Sequence, residues 1–100
     1  KVECLRHSAL EGKMIKKVAI CGGAGAFLLR DAIKAGAECF VCGEFHYHNY
    51  FENNDVLLAE LGHYQSEQYT RELLRDILQK GCPGLICELT SINTNPIRYR

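Results

Sequence analysis

Short apolar runs alternate along the chain with stretches in which apolar positions recur at helical spacing. "IKKVAIC" at Ile15–Cys21 is the first strand-like run, followed by "GGAG" at Gly22–Gly25. From about Ala26 to Ala35 the period becomes helical, with Leu28, Leu29, Ala32 and Ile33 forming one stripe. Gly36 supplies a left-handed stop. "CFVC" at Cys39–Cys42 is apolar throughout, as a strand buried on both faces requires. Gly43 ends it, and a polar, aromatic segment of weak helical character covers Glu44–Asn53. "DVLLAEL" at Asp55–Leu61 reads as the next strand. A longer helix is expected from about Tyr64 to Lys80, with Leu73, Leu74, Ile77 and Leu78 facing inward and Gly81 as terminator. "GLICEL" at Gly84–Leu89 reads as a last strand, and Pro96 bars a long helix from the turn-rich tail.

The resulting β-α-β-α-β-α-β order predicts an α/β fold, a mainly parallel β-sheet with helices on its faces. One hundred residues make a single domain, 1–100, with one modest core. In open parallel sheets, ligand sites gather beyond the carboxyl ends of the strands. That rule selects three stretches here: Gly22–Gly25, Gly43–His48 and Gly62–Glu67.

Composition narrows the function classes. Twelve basic side chains balance twelve acidic ones, so no bulk field draws nucleic acid or an anionic membrane. Lys13, Lys16 and Lys17 read as the solvated flank of a strand. No apolar stretch approaches the ~20 residues that span a bilayer. The sequence carries no signal peptide and starts at Lys1 without methionine, which reads as a fragment or processed piece. Six cysteines could form a disulfide framework, but Cys21, Cys39, Cys42 and Cys87 lie in or beside β-like apolar runs. They behave there as small hydrophobes, which points to a reduced, cytoplasmic interior. Cys39 and Cys42 have redox-motif spacing, but strand residues three apart point to opposite faces, which favours packing.

The chemistry-bearing residues cluster in the selected stretches. In "LAELGHYQSEQY", His63 and Glu67 fall four residues apart where a strand has just ended. That spacing puts both on one helical face, and imidazole plus carboxylate suits Zn, Mn, Fe or Ni. The competing reading is an acid that favours the helix dipole in a first turn. "GEFHYHN" offers Glu44, His46 and His48 after another strand, and at most one imidazole is expected to enter the cleft. "GGAG" is open to two readings, an anion cradle and a tight strand-to-helix turn, and it lacks the last glycine of a dinucleotide fingerprint.

The run from "VAICGGAGAFLLRDAIKAGAECFVCGEFHYH" through "ELGHYQSE" to "INTNPIRY" closely resembles one family. It is similar to the carboxyl-terminal part of the Nif-three-like proteins, dinuclear metal-centre hexameric proteins also labelled type 2 GTP cyclohydrolase I. Each motif alone is weak; their order is specific. The resemblance implies that His63 and Glu67, in Gly-His-x-x-x-Glu, are ligands of a two-metal centre. It implies that Glu44 and His48 lie near those metals, with Glu44 where many relatives carry aspartate. Relatives bring a His-His pair and an aspartate from an amino-terminal half, and this chain has no such pair. It therefore resembles the second half of a larger, two-part metal-binding protein, with an incomplete metal site.

Two functions follow from the resemblance. The first is a metal-dependent hydrolase acting on a nucleotide-like substrate, with two divalent ions per site in the intact protein and assembly as a homohexamer. The second is a non-catalytic metal-binding regulatory or interaction protein. Neither assigns a catalytic base, and the isolated chain is expected to be inactive. A membrane partner is excluded from both, and nucleic acid is disfavoured.

Overall fold

The computed structural model describes residues 2, 4–9 and 11–99. Its contacts separate into two compact units, the first reaching Glu67 and the second starting at Gln68.

The first unit is a mixed α/β structure on a four-stranded sheet. Its strands are β1 (Arg6–His7), β2 (Val18–Cys21), β3 (Cys39–Cys42) and β4 (Leu57–Glu60), in spatial order β1-β4-β3-β2. β2, β3 and β4 run parallel, with Val18 opposite Cys39 and Cys39 opposite Leu57. β1 closes the other edge antiparallel, with Arg6 opposite Glu60. After β2 comes a 3-10 turn, Gly25–Leu28, leading into α1 (Leu29–Lys34). A second 3-10 turn, Tyr47–Tyr50, follows β3, and α2 (His63–Glu67) follows β4.

The central strands explain the core. In β3 and β4, Phe40, Cys42 and Leu58 are almost fully enclosed. Leu29 and Ala32 of α1 pack with them, together with Phe45 and Val56. Phe40 and Phe45 meet edge to face at 5.5 Å between ring centroids, a geometry aromatic quadrupoles favour. β2 is an edge strand and leaves Ile20 largely exposed.

The second unit carries α3 (Thr70–Gly81), and Arg71 Nη1 donates to the Thr90 carbonyl within it at 3.0 Å. Three expectations are corrected here. Gly84–Leu89 forms no strand, so the full alternating order ends at β4 and α2. The segment has the apolar content of a strand, but it forms no ladder among the described residues, and an unpaired strand is not stable by itself. Leu73, Leu74, Ile77 and Leu78 do form a stripe on α3, yet all four remain about half exposed rather than facing a core. The expected single helix is also interrupted, with α2 ending at Glu67 and α3 starting at Thr70. No helix among the described residues is long and apolar enough to cross a membrane.

Candidate metal centre

β2, β3 and β4 end together, with Cys21, Cys42 and Glu60 in register. The three loops beyond them are consequently neighbours, and the backbone stitches them together. Glu44 N–H donates to the Gly23 carbonyl at 3.1 Å, and Gly62 N–H to the Gly43 carbonyl at 3.0 Å. The Ser66 hydroxyl accepts the Gly23 N–H at 2.9 Å and donates to the His63 carbonyl at 2.8 Å. Ser66 thereby pins the glycine turn after β2 to α2.

His63 occupies the meeting point. Its Nδ1 lies 3.3 Å from Glu44 Oε2, and its Nε2 lies 3.1 Å from Glu67 Oε2. The hydrogen bond to Glu44, reinforced by both carboxylate charges, raises the His63 pKa above its ordinary value. All three side chains are about half exposed and open to a ligand.

Gly23 makes this approach sterically feasible. Its φ of +63° is left-handed, and a Cβ there would collide with Glu67 Oε1 and stand 3.4 Å from His63 Nε2. Gly43 is more tightly confined, because its Cβ would stand 2.5 Å from the Gly23 carbonyl oxygen, a backbone atom. "GGAG" is thus a tight turn that clears room for a carboxylate.

A buried carboxylate supports the assembly from beneath. Glu60, at the end of β4, accepts from Arg6 Nη1 at 2.7 Å, Phe45 N–H at 3.1 Å and Tyr50 hydroxyl at 3.0 Å. It ties the edge strand and the segment after Glu44 to the sheet. Burial, then the bond to Glu60 and its charge, push the Tyr50 phenol up to about 12.

The structure thus brings together His63, Glu67 and Glu44. His48 makes no hydrogen bond or ion pair with them among the described residues; its ring stacks on His46 at 5.6 Å. Sequence reasoning missed Glu60 and Ser66. Glu60 had no sequence signal, since its partner Arg6 is 54 positions away. Ser66 had a weak one, a hydroxyl in the turn that carries His63 and Glu67.

The donor set suits a divalent cation in part. An imidazole nitrogen and a carboxylate converge, with a second carboxylate on the other ring nitrogen, the arrangement that fixes the tautomer of a metal-bound histidine. Among the described residues no group of three or more His, Cys, Asp or Glu side chains is placed to hold a metal ion. A complete shell needs donors beyond this cluster.

A mainly parallel sheet with a histidine–carboxylate cluster beyond the carboxyl ends of its parallel strands is the class these features define. The chain belongs to the Duf34/NIF3 (NGG1p interacting factor 3) family, whose model matches residues 1–96. It is 36% identical over 100 residues to a GTP cyclohydrolase 1 type 2 homolog of Campylobacter jejuni, with 98% of this chain and 39% of that protein aligned. It is 30% identical over 105 residues to a protein of the same description from Staphylococcus epidermidis, spanning 99% of this chain and 28% of that one. Among solved structures, Staphylococcus aureus protein SA1388 superposes with a TM-score of 0.80 at 26% identity, covering 99% of this chain and 34% of that one. A Bacillus cereus protein related to NIF3 shares the fold, with a TM-score of 0.77 at 20% identity over 99% of this chain and 29% of its own. The chain spans less than two-fifths of the length of these relatives.

Proposed function

We propose that this chain is part of a dinuclear-metal-binding protein, a metal-dependent hydrolase acting on a nucleotide-like substrate. The observation that carries the reading is His63, held between Glu44 and Glu67 beyond the ends of three parallel strands. Nε2 of His63 and the Glu67 carboxylate would hold metal. Glu44, on Nδ1, would orient the ring and fix its tautomer without ligating. Divalent ions at such a centre supply Lewis acidity and a water of lowered pKa. Zn, Fe, Mn and Ni all accept this donor pair. The remaining donors would come from the rest of the intact protein, which this reading takes as a cytoplasmic homohexamer. The printed description of the relatives, GTP cyclohydrolase 1 type 2 homolog, supports a guanine nucleotide as first substrate to test.

The decisive experiment measures metal-dependent turnover of GTP and related nucleotides by the intact protein beside His63→Ala and Glu67→Ala. Turnover by the wild type that both variants lose supports the reading. A second reading is a non-catalytic metal-binding regulatory protein, in which the same His63–Glu67 pair would hold metal without turning over a substrate. A metal-loaded wild type that turns over no nucleotide on a broad panel would select it.

A further inference from the structure

Beneath the loops of the candidate metal centre, β2 and β3 each end on a cysteine. Cys21 and Cys42 are register partners on these parallel neighbours. Register partners project to one face of a sheet, and neighbouring strands stand about 4.8 Å apart. That spacing lies within the Cα separation of about 4.4–6.8 Å that a disulfide bridges. The two sulfurs also converge on Gly25. A Cβ at that glycine would stand 2.5 Å from Cys21 Sγ and 3.1 Å from Cys42 Sγ, so one residue covers both thiols. Cys39 does not share the arrangement. It stands opposite Val18 and Leu57, and at three positions from Cys42 it falls on the other face of the sheet.

The two thiols differ in access, and both bond to the loops above them. Cys42 is almost fully enclosed, whereas Cys21 lies on the edge strand and is half-buried. The Cys42 thiol lies 3.5 Å from the Gly23 carbonyl oxygen and 3.4 Å from that of Glu44, and it donates to them. The Cys21 thiol donates to the Gly22 carbonyl at 3.5 Å. These carbonyls belong to the turn after β2 and the loop after β3, which carry Gly23 and Glu44 to His63. Oxidation to a disulfide removes both thiol protons, and with them every one of these bonds.

We propose that Cys21 and Cys42 are a redox pair, closed to an intramolecular disulfide by hydrogen peroxide, and that closure loosens the loops after β2 and β3. The Cys21 sulfur attacks one peroxide oxygen and the O–O bond breaks. The departing hydroxide takes up the thiol proton as water, leaving a sulfenic acid on Cys21. The Cys42 sulfur then attacks that sulfur; the S–S bond forms, the S–O bond breaks, and a second water leaves with the Cys42 proton. The two thiols have lost two electrons and two protons, and the peroxide has become two waters. A dithiol reverses the step by exchange and is itself oxidised to a disulfide. A bridge between strands about 4.8 Å apart is stretched beyond the preferred Cβ separation of about 3.8 Å. Strained disulfides are the readily reduced, regulatory kind. The proposal concerns sulfur chemistry and does not depend on metal at His63.

The test is peptide mapping of the intact protein in EDTA, before and after hydrogen peroxide, with remaining thiols alkylated and no reductant added. The expected product joins the Cys21 peptide to the Cys42 peptide, is lighter than the two together by a pair of hydrogens, and disappears with dithiothreitol. Cys21→Ser should abolish it, and Cys39→Ala should leave it unchanged. Cys42→Ala should let the Cys21 sulfenic acid accumulate, trapped by dimedone; the edge-strand variant Cys21→Ser keeps the test readable should the enclosed one not fold. Amide exchange at Glu44 should be faster in the cross-linked protein and return to its starting rate with dithiothreitol. His63→Ala should form the same cross-link, which separates this pair from the candidate metal centre. Free thiols at both positions after peroxide, or Cys42 joined to any other cysteine, would overturn the redox pair. Unchanged Glu44 exchange in the cross-linked protein would overturn its coupling to the loops.

Discussion

His63 and Glu67 meet across one turn of α2, with Nε2 3.1 Å from Oε2, and Gly23 lies directly beneath their contact. The turn after β2 therefore constrains a pair that lies 40 and 44 positions beyond Gly23 along the chain.

A methyl group at position 23 should be felt in two ways. Gly23→Ala places a Cβ against Glu67 and forces a left-handed residue, costing about 1–2 kcal/mol. Urea unfolding should show that loss, and metal binding should fall with it because the carboxylate is displaced. Unchanged metal affinity would mean Glu67 points elsewhere in the loaded protein.

Gly43→Ala should be worse than Gly23→Ala. Its Cβ would meet backbone atoms of Gly23, at 2.5 Å and 2.8 Å, and backbone cannot swing aside like a carboxylate. A loss of about 3 kcal/mol, at the top of the overpacking range, is expected from the same unfolding curves. Equal stability of the two variants would contradict the close packing of these loops.

Ser66→Ala removes a hydroxyl that serves two backbone groups at once. Leaving the part-buried Gly23 N–H without its acceptor should cost about 1–2 kcal/mol. Hydrogen exchange at the Gly23 amide should accelerate in the variant, and an unchanged rate would count against the bridge.

Tyr50 should be the late-titrating phenol. Its folded pKa of about 12 exceeds the ordinary value of 10.0, so the folded state keeps the proton longer. The stability this group contributes is therefore full below pH 10 and is lost as pH rises toward about 12. Ultraviolet titration should show a late phenolate step that Tyr50→Phe abolishes and Glu60→Gln moves to lower pH. A late step that survives in Tyr50→Phe would reassign it.

Much of this architecture is legible from local pattern. β3 is apolar at each of its four positions and falls where the sequence puts it. His63 and Glu67 are recognisable because a strand, a glycine and a helical turn set their spacing locally. The illegible parts depend on distant partners. β1 is two residues long and contains Arg6 and His7, and only its pairing with β4 makes it a strand. The contact between Glu44 and His63 joins loops 19 positions apart, and neither loop alone announces it. Gly84–Leu89 has strand composition, but a ladder needs a neighbour, and composition cannot supply one.

Metal analysis of the intact protein by plasma mass spectrometry, wild type against His63→Ala and Glu67→Ala, bears most directly on the central claim. The account predicts divalent metal in the purified wild type and a fall of at least about tenfold in affinity for each variant, the scale on which metal-site residues act. Variants that retain the full wild-type metal content would contradict it.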